Sequence, residues 1–97
     1  MNELLIRAQI EPEQRHELMQ MCKSWLADQV AAACLEKRVY EDAVSPIHLL
    51  LVEQWSDESA MTAYLVSERF RALIGAIKVL GKLVDVRTSE TGLIESG

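Results

Sequence analysis

The sequence predicts an α+β protein with the ferredoxin-like order β-α-β-β-α-β, in which an antiparallel four-stranded sheet carries two helical regions on one face. Four segments have the alternation or the short apolar runs of strands, and the two segments between them have apolar residues at three- and four-residue steps. One strand segment, residues 47–55, is apolar on both faces. These observations indicate the order of the elements and a sheet face that the helices do not cover.

The first half of the chain contains a strand, a helix and a second strand. Residues 4–10 alternate apolar and polar side chains, which indicates a half-buried strand. Pro12 favours the first turn of a helix, and an apolar stripe follows at Leu18, Cys22 and Trp25. Residues 34–41 predict the second strand, and turn-forming residues then lead into the third.

The second half contains the strand at residues 47–55, a helical region and a last strand. Ser56 and Asp57 favour a helix start, and Ser67 offers a second amino-terminal cap, so we predict a helix that breaks there. Residues 82–88 alternate as the last strand, with Val84 and Val86 on one face. We assign residues 1–90 to one domain and expect residues 91–97 to be a flexible carboxy-terminal tail.

The strand sequence IHLLLVEQW, residues 47–55, bears directly on assembly. Side chains alternate across a strand, so that Leu49 and Leu51 face one side while Leu50 and Val52 face the other. One layer of helices covers one face, and a large apolar patch on the second face is unusual for a monomer. We therefore expect a homodimer in which a second copy covers the open face.

Composition argues against several classes of partner. The chain has 97 residues, 49% of them hydrophobic and 26% charged, which is typical of one globular domain. A formal net charge of -5 disfavours nucleic acid, and no apolar run reaches the roughly 20 residues that span a bilayer. Cys22 and Cys34 lack metal-ligand spacing, and no glycine-rich turn predicts a flavin or nicotinamide site. We expect a cytoplasmic protein with no metal or bound cofactor.

Residues 50–70, LLVEQWSDESAMTAYLVSERF, resemble the antibiotic biosynthesis monooxygenase family, which has a strand ending in Glu-x-Trp, an acidic helix start and a later Ser-x-x-Phe. The resemblance extends from Leu4 to Thr88. It implies a dimeric α+β barrel in which two sheets face each other and a small-molecule cavity lies between sheet and helices. The residues at the family positions are Glu53, Trp55, Asp57, Ser67 and Phe70.

Two histidines that many family members carry are absent here, where Tyr64 and Arg69 stand. Haem-degrading relatives have an Asn, a Trp and a haem-ligating His at positions that hold Ile6, Tyr64 and Ile74 in this chain. The resemblance therefore offers no haem ligand at that place.

The resemblance implies a cofactor-independent monooxygenase that acts on a small aromatic or quinol-type compound. Such an enzyme needs a group that removes a proton and groups that stabilise the resulting anion. Histidine suits the first task and arginine the second, and Arg87 is one candidate for the second. We predict catalytic roles for His48, Tyr64 and Arg38, and substrate-binding roles for Trp55, Arg7 and Phe70.

Each of these residues also has a structural explanation. His48 could be solvated at the sheet edge, Trp55 could anchor the core, and the charged strand residues could form cross-strand ion pairs. A second hypothesis is therefore a non-catalytic module that binds a small molecule or supports assembly. A cavity lined by Tyr64 and an ionisable group would favour chemistry, whereas a filled interior would favour the structural role.

Overall fold

The β-α-β-β-α-β order predicted from the sequence is present, and the second helical region is divided into two helices. The computed structural model describes residues 2–89 and 92–97. The helices are α1 (Arg15–Ala27), α2 (Glu58–Leu65) and α3 (Glu68–Leu80), with a 3-10 turn at Pro12–Gln14 before α1. The strands are β1 (Asn2–Ile10), β2 (Cys34–Glu41), β3 (His48–Trp55), β4 (Gly81–Thr88) and β5 (Gly92–Ser96).

The strands form one antiparallel sheet in the order β2-β3-β1-β4-β5, with β1 at its centre. Alternate residues of β1 and β3 are buried in one cluster with residues of all three helices, as the sequence predicts. The intervening side chains lie on the other face, which we call the open face. Its central apolar residues, all half-buried, are Leu5, Leu50 and Val52.

A fifth strand lies where the sequence predicts a flexible tail. Gly92–Ser96 pairs with β4 and forms one edge of the sheet, which therefore has five strands and not four. Gly92 has a φ of 74°, which glycine adopts without steric cost, and it pairs with Thr88. The outer edge of β4 offers backbone donors and acceptors that a short segment can pair with. Thr91 lies outside the described residues.

A β-bulge changes which side chains of β4 face the helices. Neighbouring residues Arg7 and Ala8 of β1 pair with β4 residues that are two positions apart, so that Val84 forms the bulge. The prediction that Val84 and Val86 share one face is therefore wrong. Leu83 and Val86 are buried in the core, whereas Val84 lines a cleft on the open face. One inserted residue exchanges the faces on which the following side chains lie, and the sequence alone does not show where the insertion is.

Each of α2 and α3 begins with a side-chain cap. The Asp57 carboxylate accepts a hydrogen bond from the Ser59 backbone N–H at 3.1 Å, and the Ser67 Oγ accepts one from the Phe70 N–H at 3.2 Å. The predicted break at Ser67 is confirmed. Within the described residues, no helix is long and apolar enough to cross a bilayer.

We predict that Ser67→Ala lowers the free energy of unfolding by about 1 kcal/mol, because the first turn of α3 loses its side-chain acceptor. Urea denaturation followed by circular dichroism measures this. Ser24→Ala is the matched control, since Ser24 is exposed on α1 and the structure gives it no capping role. Equal stability of the two variants would contradict the assignment of Ser67 as a cap.

Candidate functional site

The predicted site residues lie in two groups on opposite faces of the sheet. The first group lies on the open face and the second on the helix side of the sheet, in the core. Their strand pairing therefore does not unite them in one site. The open-face group is Arg7, Arg38 and His48, and the buried group is Trp55, Tyr64 and Phe70.

Register pairing arranges the open face in rows that run across the strands. Side chains in one row lie side by side on neighbouring strands, about 5 Å apart, and rows on one face are about 7 Å apart. Each of the two central rows contains apolar residues flanked by polar or charged ones. One row contains Tyr40, Leu50, Arg7 and Asp85, and the next contains Arg38, Val52, Leu5 and Arg87.

A cleft of about 390 Å³, which we call the His48 cleft, lies at the end of the open face near the β2–β3 turn. Leu50 and Val84 supply apolar surface, and Arg7, Tyr40 and His48 supply polar groups. An adjoining cleft of about 290 Å³ shares Tyr40 and Leu50 with it and extends to Arg38. The two clefts therefore adjoin along the open face.

The turn before β3 fixes the position of His48. The Asp42 carboxylate accepts hydrogen bonds from the backbone N–H groups of Val44 at 2.8 Å and Ser45 at 3.2 Å. These bonds lower the pKa of Asp42. The backbone N–H of His48 donates to the Ser45 carbonyl at 3.0 Å, and the imidazole Nε2 lies 3.3 Å from the Gln9 amide nitrogen. His48 is thus an exposed base at the mouth of the cleft.

Asp85 joins two arginines on the open face. The Arg7 Nε donates to one Asp85 carboxylate oxygen at 2.9 Å, and the Arg7 Nη2 donates to the other. The Arg87 Nε donates to that second oxygen at 3.1 Å. The hydrogen bond from Arg7, with the further bond from Arg87, lowers the pKa of Asp85 to about 2. The predicted ion pair between β1 and β4 is therefore present.

The buried group surrounds a carboxylate, Glu53, for which the sequence indicates no role. Glu53 is fully buried, and its two oxygens accept hydrogen bonds from the indole nitrogens of Trp25 and Trp55, each at 3.2 Å. Burial raises the pKa of Glu53, opposed by the Trp55 bond and by the charge of Lys37. Its position in the alternating run of buried β3 residues is the signal that could have identified it.

Tyr64 packs between two aromatic rings beside Glu53. Its ring centroid lies 5.2 Å from that of Trp55 and 5.4 Å from that of Phe70, and all three residues are buried. Burial is the main cause that raises the pKa of Tyr64, and the neighbouring Glu53 adds to it. These side chains occupy the space between sheet and helices, where the family resemblance implies a ligand cavity.

Among residues 2–89 and 92–97, no three His, Cys, Asp or Glu side chains are grouped closely enough to hold a metal ion.

Comparison with known proteins identifies the family. Residues 1–76 match the sequence profile of the family described as antibiotic biosynthesis monooxygenase. A comparison with curated protein sequences gives no match.

Solved structures share the fold. A candidate antibiotic biosynthesis monooxygenase from Deinococcus radiodurans is 26% identical, with a TM-score of 0.76 over 100% of this chain and 93% of that one. A conserved protein from Methanosarcina mazei is 21% identical, with a TM-score of 0.77 over 90% and 88% of the two chains. A candidate monooxygenase of the same family from Chloroflexus aurantiacus is 18% identical, with a TM-score of 0.66 over 99% and 94%.

We predict that the stability difference between the wild type and Glu53→Gln depends on pH. Because the pKa of Glu53 is raised in the folded state, its favourable contribution is complete below the unfolded pKa and is lost as pH rises through the folded value. The wild type should therefore lose stability relative to Glu53→Gln as pH rises above about 4.5. Urea denaturation across pH 4 to 9 measures the difference.

The control is Glu17→Gln, which removes an exposed carboxylate from α1. Its stability difference from the wild type should stay nearly constant over the same range. A constant difference for Glu53→Gln as well would show that Glu53 does not resist ionisation in the folded protein.

Proposed function

We propose that this chain, which belongs to the antibiotic biosynthesis monooxygenase family, is a cofactor-independent monooxygenase that oxidises a small aromatic or quinol-type compound in the His48 cleft. The observation that carries the proposal is the chemistry of the cleft lining. A histidine base, a guanidinium group and a tyrosine ring border one apolar floor. The histidine could deprotonate a phenol, and the guanidinium group could stabilise the resulting anion.

In the proposed reaction, His48 accepts a proton from the substrate, and Arg7 stabilises the negative charge that develops on its oxygen. The electron-rich anion then attacks molecular oxygen through a ring carbon that bears hydrogen, and the resulting peroxide anion takes the proton back from the His48 imidazolium to give a hydroperoxide. Loss of water from the hydroperoxide leaves a carbonyl group. One oxygen atom enters the product and the other leaves as water, and the substrate supplies the electrons.

The remaining predicted residues have different places in this proposal. Arg38, in the adjoining cleft, is suited to a second oxygen at the far end of an elongated ring system. Trp55, Tyr64 and Phe70 lie on the opposite side of the sheet, where a direct role would need a ligand between sheet and helices. The variant Tyr64→Phe distinguishes that location from the His48 cleft.

A homodimer formed through the open face would complete this site. Leu5, Leu50 and Val52 form an apolar surface that the second copy would cover. Two copies packed in this way would exclude bulk water from the His48 cleft, which strengthens the electrostatic stabilisation of an anion. Cys22 and Cys34 are free buried thiols, which supports the cytoplasm as the proposed location.

One observation favours the alternative, a non-catalytic binding or assembly module. Trp25, Trp55, Tyr64 and Phe70 occupy the region where the resemblance implies a ligand cavity. If the open face serves only to join two copies, the protein would assemble without oxidising any compound.

We predict that His48→Ala lowers oxygen consumption with a hydroxylated anthrone or naphthoquinol by about 100-fold or more, the usual effect of losing a general base. An oxygen electrode measures the rate after subtraction of the uncatalysed oxidation. His16→Ala is the matched control, because His16 is exposed on α1, and it should keep the wild-type rate. Tyr64→Phe should also keep that rate if the reaction occurs in the His48 cleft.

Full activity of His48→Ala together with a large loss in Tyr64→Phe would move the site to the helix side of the sheet. Wild-type protein that consumes no oxygen with any such compound would leave the alternative module as the function.

We predict that the wild type sediments as a dimer. The variant Leu50→Glu should sediment as a monomer, because the new charges would be buried at the centre of the interface. Analytical ultracentrifugation measures the mass, and circular dichroism verifies folding. Val79→Glu is the control, since Val79 is 79% exposed on α3, and it should remain dimeric. A monomeric wild type would refute the proposed assembly.

A further inference from the structure

We propose that Lys37 is the moving part of a pH-sensitive switch on the helix side of the sheet. While Glu53 is protonated, the Lys37 ammonium group holds the end of α1, and when Glu53 ionises the ammonium group transfers to its carboxylate. The transfer loosens residues 28–33, which connect α1 to β2 and which we call the α1–β2 connection. The switch uses neither the open face nor the His48 cleft, so it is independent of the proposed function and of the homodimer.

Lys37 stabilises the carboxy-terminal end of α1. Its Nζ donates to the backbone carbonyl of Trp25 at 2.8 Å and to that of Asp28 at 2.5 Å. The same nitrogen lies 5.2 Å from the centroid of the Trp25 ring. The last turn of α1, all of which the structure describes, contains no basic residue. Lys37 therefore reaches across from β2 to supply the cation that a helix carboxy terminus favours.

Glu53 is a second partner within reach of this ammonium group. Lys37 and Glu53 are register partners on β2 and β3, so their side chains leave the sheet side by side, with Cβ atoms about 5 Å apart. Trp25 lies against both side chains, since its carbonyl accepts from Lys37 and its indole nitrogen donates to Glu53. Rotation about the flexible lysine stem therefore carries the ammonium group from the α1 end to the carboxylate.

An ionised Glu53 requires such a cation. Glu53 is fully buried, and the donors that bind its oxygens are the neutral indoles of Trp25 and Trp55, each at 3.2 Å. A buried carboxylate without a paired cation is costly. Burial raises the pKa of Glu53, and the Trp55 bond and the charge of Lys37 oppose the rise. The switch therefore operates at a higher pH than that at which an exposed glutamate ionises.

The other side chains around Glu53 do not supply a positive charge. Burial is the main cause that raises the pKa values of Tyr64 and Cys34, and the charge of Glu53 adds to both, so these two groups are neutral near pH 7. The register partner of Glu53 on β1 is Leu4, which is apolar. Lys37 is therefore the cation beside Glu53 in its row of the sheet.

The exposed charges around the α1–β2 connection are paired with each other. Arg69 of α3 donates to both oxygens of the Asp28 carboxylate, at 2.9 and 3.1 Å. Glu36, which borders a cleft of about 170 Å³ beside the connection, is bound by Arg38. Lys37 is thus the charged group that contacts the helix end and neighbours the buried carboxylate.

Loss of Lys37 leaves the connection with weaker attachments. These include the exposed ion pair between Asp28 and Arg69 and a backbone hydrogen bond from Cys34 to the Ala31 carbonyl at 3.1 Å. Exposed ion pairs contribute little to stability. The last turn of α1 and the connection should therefore open more often once Glu53 is ionised.

The test is hydrogen–deuterium exchange of the wild type at pH 5 and pH 8, with rates divided by those of an unstructured chain at the same pH. From pH 5 to pH 8, the protection of residues 25–34 should fall about tenfold further than that of α3, the effect of losing a charge-assisted hydrogen bond. Glu53→Gln cannot ionise and should show the same ratio of the two protections at both pH values. Lys37→Met should show a low ratio at both.

Lys23→Met is the matched control, because it removes an exposed lysine from α1, and it should keep the wild-type response. An equal fall in residues 25–34 and α3 would mean a global loss of stability and would overturn the proposal. A further fall that persists in Glu53→Gln, or a wild-type response in Lys37→Met, would overturn it as well. Circular dichroism verifies that the variants are folded, and the wild-type measurement decides the first point without them.

Discussion

The alternation of side chains along β1 and β3 is the constraint on which the other features of this protein depend. These two strands are neighbours at the centre of the sheet, so each residue that they bury beneath the helices leaves its neighbour on the open face. Leu49 and Leu51 secure β3 to the core, and for that reason His48 and Leu50 are turned toward the cleft. A one-residue change of register would exchange the core with the candidate site.

The bulge at Val84 adjusts this alternation on the other side of β1. In a regular strand, residues two apart such as Leu83 and Asp85 lie on the same face. Because of the extra residue at the bulge, Leu83 faces the core while Asp85 lies on the open face with Arg7. The bulge lets one short strand supply apolar side chains to the core and a carboxylate to the open face. Bulges are common where a sheet must direct a functional side chain.

The sequence predicted the parts of the fold that depend on local chemistry. The strand segments follow from alternation, and the break between α2 and α3 follows from Ser67, a residue that caps its own helix. The bulge and β5 depend on pairing between strands, which single-segment patterns do not contain. Gly92–Ser96 is too short and too polar to predict a strand alone, and it becomes one because β4 offers an edge.

The candidate site was predictable residue by residue but not in its arrangement. The residue types at Arg7, Arg38 and His48 indicated acid–base and anion chemistry, yet only the strand order decides which of them meet. The family resemblance includes Glu53, but the sequence gives it no role, because a carboxylate in a strand usually lies on a solvated surface. Its alternation with Leu51 and Trp55 places it instead among indole donors in the core.

The buried carboxylates Glu53 and Asp85 differ in a way that bears on where the proposed reaction would occur. Glu53 meets neutral indole donors within the core, so burial dominates and its pKa rises. Asp85 meets two guanidinium groups at the sheet surface, so their hydrogen bonds dominate and its pKa falls. The same two surroundings would affect the stability of an anion that forms during a reaction. The core offers it dipoles but a high cost of burial, whereas the open face offers half-exposed arginines beside a histidine. The open face is therefore the side of the sheet on which a developing negative charge is stabilised at lower cost.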